Sequence, residues 1–141
     1  MSDEVEIGRG KRGRRAYTLD DIALVPSRRT RDPEDVNVGW QIDAYHVDIP
    51  LMAAPMDSVM SPETAIAFGR LGGIGVLDLD GLWTRYEDPA PILDQIAHLG
   101  EEESIATLQR VYSEPIKPSL ITARLKQLRE AGVVVAGKLS P

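Results

Sequence analysis

A short polar segment that follows an apolar run contains the residues best suited to chemistry. Residues 50–55 are apolar and small, and Met56 and Asp57 follow them directly. Asp57 has two interpretations, a carboxylate that positions a ligand or a loop residue that satisfies nearby backbone donors. Met56 is by itself typical of a core methionine, but at a strand's carboxyl end its polarisable side chain suits contact with a flat ring. Ala54 beside it is small enough for the backbone to approach a ligand.

Other chemistry is excluded or weakly supported. The chain has no cysteine, which excludes a thiol nucleophile, a disulfide and a thiolate zinc site within these residues. His46 and His98 have no partners at the spacing of a metal site or a catalytic triad. We therefore expect both histidines to be structural or exposed, and we predict no metal site.

A glycine motif near the start resembles a dinucleotide-binding fingerprint only in its spacing. Residues 8–13 fit G-x-G-x-x-G, but that fingerprint needs a strand before it, an apolar helix after it and an acid about 20 residues further on. Only Val5 and Ile7 precede the motif, and Arg14 begins no apolar helical face. We therefore exclude a Rossmann interpretation and assign no cofactor-binding residue.

Composition and charge indicate one soluble globular unit. Of 141 residues, 43% are hydrophobic and 27% are charged, which is typical of a chain with a buried core. The net charge of −6 argues against nucleic acid as a general partner. No stretch approaches the ~18 apolar residues of a membrane span, and the polar start has no signal-peptide core. We expect a cytoplasmic protein without a membrane partner.

The first fifteen residues are interpreted as a basic N-terminal arm. Residues 9–15 carry five positive charges, and residues 1–15 show no apolar period and contain three glycines. We expect this arm to be irregular or flexible and solvated. Binding of an anion or of an acidic face on a neighbouring subunit is the alternative.

The elements that must position the polar segment follow from the apolar pattern. Residues 17–26 are interpreted as a packed non-helical segment, and residues 36–43 and 45–49 alternate as in a tight hairpin. After them, strands and helices alternate, and since parallel neighbours need long connections, the pattern predicts a parallel sheet. The predicted strands span residues 50–55, 74–77 and 133–137, and helices start near Pro62, Pro89, Glu101 and Pro118. The periodicity alone leaves a doubly wound sheet and a barrel open.

Three segments resemble a known family. Residues 17–26, 49–59 and 71–77 are similar, in order and spacing, to the start of the barrel of the IMP dehydrogenase / GMP reductase family. The resemblance implies an α/β fold that is the N-terminal part of a TIM (β/α)8 barrel, with about three parallel strands preceded by the basic arm and the short hairpin. Residues 16–141 would form this incomplete barrel, because a closed barrel takes roughly 250 residues.

The resemblance assigns the polar segment to substrate binding. In the family, the loop at residues 53–59 contacts a purine nucleotide, so Ala54, Met56 and Asp57 are the expected substrate-binding residues. Some relatives have serine where this chain has Ala54, so only a backbone contact is expected there. The chain lacks the family's histidine-containing segment after the second strand and its pair of CBS modules. It is most similar to the IMP dehydrogenase-related branch without CBS domains.

The expected function is that of a parent enzyme of purine nucleotide metabolism. In the family, a loop cysteine attacks the purine C2 and hydride passes to or from a nicotinamide cofactor. The resemblance implies an oxidoreductase that converts IMP to XMP with NAD in guanine nucleotide biosynthesis, with IMP or GMP as partner and a homo-oligomeric parent. This N-terminal portion, without a cysteine, is expected to be inactive and not to bind NAD alone. Alternatives are GMP reductase activity of the parent, a non-catalytic nucleotide-binding α/β protein, and a structural role through the arm and the exposed sheet edge.

Overall fold

The computed structural model of the chain describes residues 4–25 and 32–140. The chain divides into two compact units, Met1–Val36 and Asn37–Pro141. The boundary predicted between residues 15 and 16 rests on the resemblance and stays a prediction. Met1 to Asp3 of the predicted arm and Pro26 of the predicted packed segment lie outside the described residues.

The first unit starts with a hairpin where the sequence predicted an irregular arm. Strand β1 (Glu4–Glu6) pairs antiparallel with β2 (Arg12–Arg14). Gly8 and Gly10 have φ of 95° and 72°, in the left-handed region that glycine reaches without a steric penalty. The prediction of irregular backbone was therefore wrong here, because these glycines allow a tight reversal. In the described residues, the motif is followed by strand β2 and not by an α-helix.

The segment that follows is exposed, whereas the sequence predicted that it is packed. Leu19 to Asp21 form one 3-10 turn, in which Thr18 N and Oγ1 donate to Asp21 Oδ2 at 3.0 and 2.9 Å. These hydrogen bonds, chiefly the backbone one, lower the pKa of Asp21. Leu19 is 85% exposed and Leu24 is 99% exposed. The prediction of a packed segment was therefore wrong for the described residues, because an apolar composition does not specify a surface that covers it.

The second unit begins with the predicted hairpin. Strand β3 (Trp40–Ile42) pairs antiparallel with β4 (Tyr45–Val47). Asp43 lies at the turn with φ 49°, a conformation that short polar side chains tolerate better than most. The hairpin prediction is confirmed, although both strands are shorter than the alternation of apolar residues indicated.

A parallel sheet forms the centre of the second unit. Its strands are β5 (Met52–Ala53), β6 (Ile74–Asp78) and β7 (Ala136–Lys138), paired in the order β5-β6-β7. Both pairings are parallel, with Met52 opposite Ile74 and Val76 opposite Ala136. Because all three strands run the same way, their carboxyl ends meet at one edge of the sheet.

The helices follow the predicted order. They are α1 (Pro62–Arg70), α2 (Ala90–Ala97), α3 (Glu101–Tyr112) and α4 (Pro118–Glu130). Ser61 caps α1 by accepting a hydrogen bond from Thr64 N at 3.0 Å, and Gly72 follows the helix with φ 96°. Serine before a first-turn proline and glycine after the last turn are the signals from which the helix was predicted. None of the helices in the described ranges is long and apolar enough to cross a membrane.

The third strand begins later than predicted. The β-branched run suggested residues 133–137, but the ladder runs from Ala136 to Lys138. Its partners on β6 are Val76 to Asp78, so the pairing register sets where the strand starts. Val133 and Val135 instead pack against the core.

The core lies between the sheet and its covering helices. Its buried members are Met60, Ala65, Leu77, Leu79 and Leu128. A Cβ at Gly75 of β6 would lie 2.6 Å from the Cα of Ala65 in α1, so glycine permits a close helix-to-strand approach. This packing holds the ends of β5 and β6 in place, and these ends support the candidate site.

Candidate functional site

A cavity of about 370 Å³ lies at the carboxyl ends of β5 and β6. One side is the loop after β5, residues 54–60, here called the Met56 loop. The opposite side is apolar and comes from helices α2 and α3, and Asp78 at the end of β6 adds a carboxylate. The apolar lining residues on the helices are Leu93, Ile96 and Leu108. A mainly apolar hollow with a few polar groups is typical of a small-molecule site.

The structure brings two of the three predicted site residues to this cavity. Met56 and Asp57 line it, whereas Ala54 lies in the same loop but is not among the lining residues. Met56 is 49% exposed, so the interpretation as a core methionine was wrong. The loop is a tight turn, in which Met56 N donates to Ala54 O at 3.0 Å and Met60 N donates to Met56 O at 2.8 Å. Met60, fully buried, anchors this turn in the core.

Asp57 connects the Met56 loop to two distant segments. Its Oδ2 accepts hydrogen bonds from Leu82 N and from the Tyr112 hydroxyl, each at 2.7 Å. Its Oδ1 is buried and accepts no hydrogen bond from the part of the chain that the structure describes. Asp57 thus satisfies a backbone donor, as one interpretation held, but the donor lies 25 residues away along the chain.

Gly81 makes the approach to Asp57 possible. A Cβ at this position would collide with both carboxylate oxygens of Asp57, at 2.6 Å from Oδ2 and closer still to Oδ1. Gly81 has φ −83°, which any residue adopts. Glycine is therefore required at this position because a side chain would not fit, and not because of its backbone conformation.

Tyr112 is a hydrogen-bond donor to the Asp57 carboxylate. Burial, the hydrogen bond to Asp57 and the Asp57 charge all raise the pKa of Tyr112 above its ordinary value of 10.0. The phenol therefore stays protonated at neutral pH, and its hydroxyl donates a hydrogen bond to the carboxylate. The sequence offered no signal for this pairing, since 55 residues separate the partners.

A polar cluster adjoins the cavity at the ends of β6 and β7. Lys138 Nζ lies 3.0 Å from Asp80 Oδ2 and 3.4 Å from Asp78 Oδ1. Ser140 donates to Asp80 Oδ2 from its N and its Oγ, both at 2.8 Å. The hydrogen bonds from Ser140 and Lys138 lower the pKa of Asp80, and the bond to Asp80 raises the pKa of Lys138. Lys138 is accordingly a fixed positive charge and not a base.

Sequence reasoning missed this cluster, although a signal existed. Asp78 and Asp80 follow the second predicted strand, and Lys138 follows the third. Because the carboxyl ends of parallel strands meet at one edge, such residues are expected to converge. Asp78 belongs to both the cluster and the cavity lining.

The remaining candidates lie outside the cavity. His46 and His98 are exposed, as expected, and His98 Nδ1 lies 2.8 Å from Asp94 O within its own helix. Across residues 4–25 and 32–140, no three His, Asp or Glu side chains are grouped as a metal ion requires. The glycine motif lies in the β1–β2 hairpin, so the described residues do not fit a dinucleotide cradle of the strand-turn-helix type.

The fold and the site together define the class of the protein. Three parallel strands with covering helices, and a cavity at the carboxyl ends of two of them, fit the first part of a TIM (β/α)8 barrel. Residues 16–86 match the profile of the IMP dehydrogenase / GMP reductase domain. The chain therefore belongs to the IMP dehydrogenase / GMP reductase family.

Comparison with solved structures supports the same fold. A crystal structure of an IMP dehydrogenase/GMP reductase-like protein from Corynebacterium glutamicum is 42% identical, with a TM-score of 0.79. The likeness covers 99% of this chain and 38% of that chain. The predicted fold class, the N-terminal part of a TIM barrel, is confirmed.

Curated relatives fall into two groups. A protein of Mycolicibacterium smegmatis named as an uncharacterized oxidoreductase is 44% identical over 142 residues, which is 97% of this chain and 38% of the relative. Inosine-5'-monophosphate dehydrogenase of Methanocaldococcus jannaschii is 42% identical over 64 residues, or 45% of this chain. The chain thus spans 38% of the length of its full-coverage relatives. The family profile ends at Tyr86, before α2 and α3.

Proposed function

We propose that this chain forms one wall of the purine-nucleotide site of an IMP dehydrogenase-related oxidoreductase. In the proposed reaction of guanine nucleotide biosynthesis, IMP, NAD⁺ and water give XMP, NADH and a proton. The chain contributes the Met56 loop, with Ala54, Met56 and Asp57 as substrate-binding residues. Family membership supports the class of substrate, and the position of the loop supports the role of these residues.

The observation that carries the proposal is the place of Met56. Its side chain is half exposed, lies just beyond the end of β5 and lines a mainly apolar cavity. Active sites of barrels form at the carboxyl ends of the strands, and a thioether suits the face of a flat base. Ala54, exposed in the same loop, has no side chain large enough to prevent the backbone from approaching a ribose or phosphate.

Two requirements of the reaction are not met by these 141 residues. The chain has no cysteine to supply a thiolate, and its glycine motif does not fit a dinucleotide. We therefore propose that the longer polypeptide typical of the relatives supplies the nucleophile and the NAD site, and that this chain alone is inactive. A cytoplasmic location and a homo-oligomeric parent belong to the same proposal.

Nucleotide binding by the chain is the direct test. In titrations of the 141-residue protein with IMP, GMP and, for comparison, CMP, we expect Met56→Ala to weaken purine nucleotide binding about five- to ten-fold. The reason is lost apolar contact worth roughly 1 kcal/mol. Met52→Ala is the matched control, because Met52 is 57% exposed but does not line the cavity.

Equal effects of Met56→Ala and Met52→Ala would show that the Met56 loop is not the binding wall. Binding of CMP as tight as that of IMP would contradict a purine site. For the longer parent protein, parallel assays of IMP with NAD and of GMP with NADPH separate dehydrogenase from reductase activity. Turnover of IMP by the 141-residue chain alone would refute the proposed inactivity.

A further inference from the structure

The opposite walls of the cavity are joined by one side-chain hydrogen bond. Tyr112 is the last residue of α3, and its hydroxyl donates a hydrogen bond to Asp57 Oδ2 in the Met56 loop at 2.7 Å. Helices α2 and α3 form the apolar wall of the cavity, and the Met56 loop forms the wall opposite. The Tyr112–Asp57 bond therefore connects the two surfaces between which a ligand ring would lie.

Tyr112 itself is rigidly supported. The hydroxyl of Tyr86 donates to Val111 O at 3.0 Å, and Lys117 N donates to Thr84 O at 2.8 Å. Val111 is buried. These contacts tie the end of α3 to the connection after β6 independently of the Met56 loop. Tyr112 can thus act as a fixed point from which the loop is held.

On the loop side, few hydrogen bonds hold the Asp57 carboxylate itself. Asp57 Oδ2 has a second donor in Leu82 N, but Oδ1 receives no hydrogen bond from any residue that the structure describes. Both donors bind Oδ2, so loss of the phenol leaves Leu82 N as the single hydrogen-bond donor to the carboxylate among the described residues. Because a hydrogen bond to a charged carboxylate is stronger than a neutral one, loss of the phenol removes a substantial restraint.

We propose that Tyr112 is a positioning residue, whose hydroxyl holds Asp57 and thereby sets the distance of Met56 from the apolar wall of α2 and α3. The proposal rests on the proposed function, since it assigns this spacing to the width of a planar purine ring. The ring of Tyr112 lines the cavity, but its hydroxyl acts through Asp57. The helices that carry this restraint lie beyond the part of the chain that the family profile matches.

Tyr112→Phe and Tyr86→Phe form a matched pair for the test. Each substitution removes one hydroxyl that ties the end of α3, but only Tyr112 reaches the Met56 loop. The chain has four methionines, so the ¹³C-methyl methionine spectrum resolves Met56 from Met52 and Met60. This signal reports the surroundings of Met56 with no ligand present.

In Tyr112→Phe we expect the Met56 methyl signal to move or broaden, with the Met52 signal unchanged. Purine nucleotide affinity should fall about three- to ten-fold, as expected for an indirect effect of one charge-assisted hydrogen bond. In Tyr86→Phe the hydrogen bond from Lys117 N to Thr84 O still holds the end of α3, so the Met56 signal and the affinity should change much less than in Tyr112→Phe, even if thermal stability falls equally. Asp57→Asn, which disturbs the same bond from the loop side, should also shift the Met56 signal.

An unchanged Met56 signal in both Tyr112→Phe and Asp57→Asn would overturn the positioning role, whatever the binding data. A shift of that signal with unaltered nucleotide affinity would also overturn it, because the spacing would then not matter to the ligand. If the wild-type chain binds no purine nucleotide but the signal still moves in Tyr112→Phe, the restraint exists and the proposed function fails.

Discussion

Two segments that resemble the same family differ sharply in their surroundings. Residues 17–25 and 49–59 both contain exposed apolar side chains, but only the second segment joins the central sheet and leads directly into a buried core residue. Leu24 is 99% exposed in the first segment, whereas Met60, directly after the second, is 2% exposed. The turn at residues 54–60 reaches its partners, Leu82 and Tyr112, within the chain.

The difference shows what an apolar pattern specifies. It indicates that a residue gains free energy by leaving water, but not which surface will cover it. In the Met56 loop, Met60 is buried and Asp57 is hydrogen-bonded to Leu82 and Tyr112, whereas Met56 and Val59 stay about half exposed. In residues 17–25, Leu19 and Leu24 stay 85% and 99% exposed to solvent in the part of the chain that the structure describes.

Truncation of core leucines is expected to have the largest effect. Leu77 of β6 is 1% exposed, and Leu77→Ala should lower the free energy of unfolding by about 2–5 kcal/mol. Leu24→Ala should change it by less than about 0.5 kcal/mol, as is usual for an exposed side chain. Urea unfolding followed by circular dichroism measures both. Equal losses would show that residues 17–25 are in fact packed.

An added methyl group at Gly81 should have an intermediate effect. Because a Cβ there collides with the Asp57 carboxylate, Gly81→Ala should cost about 1–3 kcal/mol of unfolding free energy and weaken nucleotide binding. Gly100 is the control, since a Cβ there meets nothing within 4 Å and φ is −68°. If Gly100→Ala were as costly as Gly81→Ala, the collision would not be the cause.

Acid pH should have the smallest effect, through Asp80. Hydrogen bonds from Ser140 and Lys138 lower the pKa of Asp80 below its ordinary value of 3.8. The ionised carboxylate therefore stabilises the folded chain above pH 3.8, and this contribution is lost as the pH falls through the lowered folded value. Asp80→Asn should remove this contribution, so the variant should lose less stability in acid than the wild type does. Thermal unfolding at a series of pH values checks this, and an Asp80→Asn profile parallel to the wild type would contradict it.

Most elements were predictable because their signals are local. Ser61 with Pro62 starts α1, Gly72 ends it, and an apolar run leads into the Met56 loop. These local signals predicted the order of the strands and helices, and that order places Met56 at the end of a strand. The resemblance then supplied the choice of a barrel over a doubly wound sheet, which periodicity left open.

The sequence by itself determined the order of the helices and strands in the second unit and the two ends of α1, because these depend on neighbours a few positions away. Only the tertiary structure decided that Asp57 pairs with Tyr112, that Asp80 holds Lys138, and that β7 starts at Ala136. Such pairings join residues tens of positions apart, and their geometry exists only once the helices and strands have packed.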